Sequence, residues 1–282
     1  MKKPHEWDPT ALLQLPLFAP LHPVLARLEG GGFPALSDCN ALLVACQPAI
    51  SVQGGLPLRF VAQGLGQLPF EAQYEPRCYL SGELQMRGKV WHDLLNALVW
   101  LTFPKAKAAI NARHYQALTN APNIPEGKRG AVRDMATLFD ESGVVVVCAA
   151  AELDNLLRDF QWKELFWWRR GQVSAAMGFY VFGHGLYEKA LQPYIGMTGQ
   201  GLLLAVAQEF FAWSLPRRLA YLDDRIAEYL NAPQHCRSTR ELSPVPLLGV
   251  PGWSADNDCE AYYDNTRYFR CGRRSIVYVP SN

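Results

Sequence analysis

Residues 91–103, WHDLLNALVWLTF, are apolar almost all the way round a helix. Trp91, Leu94, Leu95 and Leu98 fall on one stripe at helical spacing, and His92, Asn96, Val99 and Phe103 fall on the next. Trp100 and Leu101 cover much of the remainder, so the pattern predicts a helix buried on most sides. Pro104 ends it, because proline disfavours helical geometry in the residue before it and has no N–H of its own to donate. A second helix follows to about residue 118. In MATLFDESGVVVVC, two apolar runs flank Asp140-Glu141-Ser142-Gly143, which predicts a β-hairpin near 136–148 with that turn at its tip. AELDNLLRDFQWKELFWWRR predicts a helix with Leu153, Leu156, Leu157 and Phe160 facing the core. GFYVFG reads as a short strand or a buried helical turn, which periodicity does not separate. HGLYEKALQPY predicts a helix and YIGMTGQG a glycine-rich turn; LLLAVAQEFFAWSL and PRRLAYLDDRIAEYLN predict two more helices, the second opening at Pro216.

Before this stretch, residues 1–90 are rich in Pro and Gly with short apolar runs, which predicts short helices and extended segments packed on the main body. From 232 onward the chain is loop-rich, but its aromatics would lie exposed unless it were ordered. The predicted class is α+β, predominantly helical, with a small β-hairpin or sheet and a loop-rich C-terminal segment. A single globular domain over 1–282 is expected: an N-terminal part to 90, a helical core over 91–231 and a C-terminal part over 232–282. The 282 residues suffice for one large core. Lys+Arg 27 against Asp+Glu 26 leaves no electrostatic footprint for a nucleic acid or an anionic membrane. No run approaches ~18 uninterrupted apolar residues, so no membrane span is expected. The opening MKKPHEWDPT has no apolar segment behind its lysines, so no signal peptide is expected either. The seven cysteines are odd in number and lack CxxC spacing, which reads as reduced, mostly buried thiols in a cytoplasmic protein.

Chemistry enters where polar residues interrupt apolar surroundings. An unpaired buried polar group costs about 1–3 kcal/mol, so His92, Asp93 and Asn96 within five residues require partners. Asn111 and His114 share a face at i, i+3 on the next helix, and His184 and Glu188 share one at i, i+4. Two readings account for these residues. In one, His92, His114, His184 and Glu188 hold zinc or another divalent metal, with Asp93 or Asp140 orienting a ligand or acting as general base. In the other they form a buried polar network that fixes helix packing. Asp140 and Glu141 at the expected hairpin tip are paired carboxylates suited to acid–base work, although such turns favour acidic residues on their own account.

Three further stretches carry weaker signals. WKELFWWRR puts Trp162, Trp167 and Trp168 beside Lys163, Arg169 and Arg170, a surface for stacking or phosphate, or else an amphipathic helix. Lys163 and Glu164 in it are candidates for the polar lining of the cleft with Asn96 and Asn111. GMTGQG ahead of an expected helix offers Gly196, Thr198, Gly199 and Gly201 as an anion cradle, without the Lys-Ser/Thr of a P-loop. No GxSxG, HExxH, zinc-finger or kinase motif is present.

WHDLLNALVWLTFPKAKAAINARH, LFDESGVVVV, KELFWWRR, FGHGLYEKALQPYIGMTGQGLL, PVPLLGVPGW and YYDNTRYFR together resemble the bacterial family named domain of unknown function 3025, over most of residues 75–275. That name carries no activity and assigns no residue a role; the resemblance implies only that these polar residues lie in the family's recurring motifs. The leading expectation is a cytoplasmic metal-assisted hydrolase acting on a small molecule. The alternatives are a binding or assembly module whose aromatic and basic surface (WKELFWWRR, YYDNTRYFR) meets a protein or nucleic-acid partner, and an anion- or phosphate-binding protein centred on GMTGQG with Arg169 and Arg170.

Overall fold

A computed structural model describes residues 6–28, 31–64, 66–119 and 126–272, with side chains omitted over 126–133. The Pro/Gly-rich N-terminal part forms short elements, as its broken apolar runs predict. They are α1 (Pro9–Leu13), α2 (His22–Leu25), α3 (Leu36–Val44), β1 (Arg59–Ala62), α4 (Tyr74–Ser81) and β2 (Glu83–Met86). β1 and β2 pair in parallel, Arg59 opposite Glu83. Gly82 ends α4 at φ 70°, and a Cβ there would stand 2.2 Å from the Pro57 carbonyl oxygen, so only glycine fits.

The helical core begins with α5 (Trp91–Thr102) and α6 (Pro104–Thr119), divided at Phe103-Pro104 as the sequence predicts. Then come α7 (Glu126–Ser142) and β3 (Gly143–Cys148), with no loop between them. The expected hairpin is therefore incorrect: Asp140 and Glu141 sit in the last turn of a helix. Met135 and Phe139, both fully buried, are the i, i+4 pair that marks its core face. The following valines are buried on both sides as a central strand, not alternately as a hairpin arm.

The chain continues through α8 (Ala151–Arg158), a single π turn over Glu164–Trp168, α9 (Arg170–Ala176), β4 (Met177–Val181), α10 (His184–Ala190), β5 (Thr198–Ala205), α11 (Leu215–Asn231) and β6 (Ser243–Pro246). The helix expected from Ala151 to Arg170 is broken, because Phe160 takes a left-handed backbone (φ 58°) and turns the chain. LLLAVA is strand rather than helix. β5 lies parallel to β3 and antiparallel to β6, while β4 flanks β3 on its other side, giving the order β4-β3-β5-β6.

Buried apolar side chains from Leu12 to Phe269 form one contiguous cluster. The C-terminal segment is tied into it: the Tyr268 hydroxyl donates to the Met197 carbonyl and accepts from the Leu248 N–H. The class is α+β, predominantly helical. Among the described residues no helix is long and apolar enough to cross a membrane, and all seven cysteines are free.

Candidate functional site

Three helix ends meet at one cleft. α5 brings His92 and Asp93 in its first turn, α7 brings Asp140 and Glu141 in its last, and α10 opens with His184. The close approach of α10 to α7 depends on the two glycines that bracket His184. A Cβ on Gly183 would stand 2.5 Å from the backbone nitrogens of Ser142 and Gly143, and one on Gly185 would stand 2.5 Å from Glu141 Oε2. The Gly183 N–H donates to the Gly143 carbonyl at 2.9 Å, which fastens the junction.

At this junction His92 Nε2 and His184 Nε2 lie 3.1 Å apart. Glu141 Oε1 lies 3.5 Å from the second and 3.8 Å from the first. Tetrahedral coordination at about 2.0–2.1 Å separates ligand atoms by about 3.3–3.4 Å, and a triangle with the observed sides has a circumradius of about 2.0 Å. Among the described residues this is the one group of three such side chains whose ligand atoms converge.

Carboxylates stand behind both imidazoles. His92 Nδ1 is 2.9 Å from Glu188 Oε2, and because a carboxylate only accepts, Nδ1 carries the proton and Nε2 the lone pair. His184 Nδ1 is buried without a hydrogen bond, 3.8 Å from Asp140 Oδ2. At 3.1 Å a proton on His184 Nε2 is donated to the His92 Nε2 lone pair, and a cation bound there would instead take both lone pairs, with the His184 proton on Nδ1 facing Asp140. Burial also pushes the His184 pKa down to about 4, against the pull of Asp140, so at neutral pH it is an uncharged imidazole.

The surrounding charges are committed. Asp140 is buried, which alone would raise its pKa, but the Lys107 ammonium from α6 and His184 hold it below the usual carboxylate range. Asp93 is likewise held down, against its burial, by Arg87, which donates to it through its backbone N–H, Nε and Nη2 at 2.7–2.9 Å. Burial raises Glu141, and the neighbouring His92 opposes it.

The cleft has a volume of about 460 Å³ and runs from this cluster past Asn96 to Tyr74, Glu75 and His114. Asn96 Nδ2 donates to the Tyr74 hydroxyl at 2.6 Å, and Asn111 Nδ2 donates to the Glu75 carboxylate at 2.6 Å.

Several expected residues therefore change place. His92 is partly exposed to the cleft rather than enclosed in the core. Glu188 stands behind His92 instead of sharing a point with His184, and Glu141 takes the position expected of Glu188. His114 lines the cleft at the Glu75 end, outside the converging group. Asp93 and Asp140 are ion-paired and unsuited to serve as a base. Lys163 and Glu164 do not line the cleft: Lys163 pairs with Glu260 and Asp264, and Glu164 with Arg169.

Gly196, Thr198, Gly199 and Gly201 do not precede a helix, so the expected cradle of helix N–H groups is absent. A Cβ on Gly199 would meet Val144 at 2.4 Å, which makes that glycine a packing requirement of the strand. The aromatic and basic surface is also mostly internal: Trp162 is buried, Arg170 is held by Asn257 and Asp258, and only Trp168 of the three tryptophans is well exposed. Tyr74, Glu75, Arg87 and Lys107 escaped sequence reasoning, since none is isolated in an apolar stretch whose pattern would mark it.

The fold and cleft define an α+β protein with a His/His/Glu cluster at the meeting of three helix ends. Residues 58–273 match the family described as protein of unknown function (DUF3025), and the chain belongs to it. No curated protein and no solved structure matches the chain.

Proposed function

We propose that the protein is a metal-assisted hydrolase of the bacterial cytoplasm, holding zinc or another divalent transition ion on His92, His184 and Glu141. The observation that carries this reading is the triangle of two inward imidazole nitrogens and one carboxylate oxygen, with a carboxylate behind each imidazole. Three protein ligands leave a fourth position for water, whose pKa such an ion lowers toward about 7. Glu188 and Asp140 fix the imidazoles, and Lys107 keeps Asp140 ionised within a buried site. The free state of all seven cysteines supports a reducing compartment.

Metal content by mass spectrometry, on protein purified without an affinity tag, tests the reading. Near-stoichiometric zinc, manganese or iron in the wild type and none in His184→Ala is the expected result. A metal-free wild type that stays folded and gains no stability from added divalent ions overturns it.

A further inference from the structure

We propose that the inner end of the same cleft binds a ligand through a protonated amine or amidine group, seated between the Glu75 carboxylate and the Asn96 side-chain oxygen. The inference rests on the reading of the cleft as a metal site, and it names the class of substrate.

Four carboxylates line the cleft (Glu75, Asp93, Asp140 and Glu141) against a single guanidinium, Arg87. Three of the four have an assigned cation. Asp93 has Arg87, Asp140 has Lys107, and Glu141 would take the proposed metal. Glu75 has a neutral partner, the Asn111 carboxamide, and forms no ion pair among the described residues. His114 is close enough to act on it electrostatically without reaching it.

Asn96 supplies an independent observation. Its side chain is only 7% exposed and lines the cleft, and its Oδ1 is buried with no hydrogen-bond partner. An orphaned acceptor calls for a donor. Tyr74 Oη already accepts from Asn96 Nδ2, and burial holds the phenol protonated, so it adds no charge of its own. A positively charged N–H group satisfies both the uncommitted carboxylate and the orphaned oxygen; a phosphate satisfies neither, because the nearby cations are already neutralised. Burial raises the Glu75 pKa, and a bound cation would offset that by favouring its charged form. On the metal reading, an amine-bearing substrate would be held by its amine at Glu75 and Asn96, and an ion on His92, His184 and Glu141 would supply the activated water.

The probe is benzamidine, titrated into the full chain in the presence of EDTA and followed by calorimetry and thermal shift. Neutral benzamide and inorganic phosphate serve as controls. Benzamidine is expected to bind and raise Tm, and the controls are not. Glu75→Gln should weaken benzamidine at least tenfold, and Asn96→Asp should strengthen it about tenfold by adding charge at the seat. Binding of phosphate in place of benzamidine, or benzamidine affinity unchanged in both variants, overturns the proposal. Because chelator is present throughout, its failure is separable from that of the metal reading, which the metal content decides.

Discussion

Gly183→Ala tests whether the junction of α7 and α10 makes the site. The glycine has φ −63° and ψ 116°, which alanine adopts freely, so the substitution acts by volume alone. The new Cβ would stand 2.5 Å from Ser142 N, 2.5 Å from Gly143 N and 2.6 Å from the Glu141 carbonyl carbon. All three are backbone atoms, so no rotamer relieves the contact. Reaching an ordinary separation of 3.4 Å requires α10 to move off α7 by about 0.9 Å. Overpacking of this kind costs about 1–3 kcal/mol, and loss of the Gly183 N–H bond to Gly143 adds about 1 kcal/mol. The expected total of about 2–4 kcal/mol lowers Tm by roughly 3–7 °C in a chain of this size. The same shift exceeds the ~0.2 Å tolerance of a metal–ligand bond, so zinc affinity falls at least tenfold. Gly185→Ala is the companion, because its closest contact is the movable Glu141 Oε2. It should lose less stability and as much zinc affinity. Denaturant midpoints and zinc competition titrations read both quantities. A Gly183→Ala protein with wild-type Tm and wild-type zinc affinity would refute the argument.

Three other substitutions probe the groups behind the site. Lys107→Met leaves Asp140 buried without its cation and should cost about 3–5 kcal/mol by urea denaturation; a near-native midpoint would show that the pair does not hold the charge. Glu188→Ala removes the carboxylate behind His92 from a half-exposed position, so zinc affinity should fall about 10- to 100-fold with stability within about 1 kcal/mol, and unchanged affinity would remove its orienting role. Asp223 caps the start of α6, accepting the N–H groups of Lys105 and Ala106, and burial raises its pKa from 3.8 to about 6. The folded state therefore holds the proton more tightly, so its contribution is full below about pH 3.8 and is lost as pH rises through about 6. Asp223→Asn should gain up to about 3 kcal/mol relative to wild type between pH 4 and pH 8, and a pH-independent difference would contradict the assignment.

Where the apolar pattern had one period over a long stretch, the fold was legible. α5, α6 and α11 fall where the stripes and Pro104 and Pro216 put them. The misread elements share a physical cause. MATLFDES and GLLLAVA are short apolar runs beside turn-forming residues, and such runs are compatible with helix and strand alike until burial on both faces decides. Gly143 and Gly199 were read as turn glycines because local sequence cannot show what approaches them. Both are required by close neighbours, Phe139 and Val144. Phe160 is a left-handed residue that nothing in its side chain favours, so the break after α8 left no mark in the pattern.

The site divides in the same way. That His92 and His184 belong together follows from two imidazoles each set in an otherwise apolar helix start, and that much the spacing carries. Which carboxylate serves which imidazole does not, since His92 finds Glu188 at a separation of 96 residues. The helical i, i+4 relation of His184 and Glu188 placed both on one face and suggested one shared point. On a seven-residue helix that opens at the cleft, however, the same relation sets the glutamate one turn back, where it reaches the outer nitrogen of the partner imidazole. Glu141, the third member of the cluster, was hidden by the hairpin reading: at a hairpin tip it would point to solvent, whereas at the end of α7 it is carried onto His184. A helix-terminal carboxylate, a helix-initial histidine and two glycines that admit them to each other make one arrangement, and removing any member breaks up the triangle of His92, His184 and Glu141. That is why the glycines test the metal reading as directly as the ligands do.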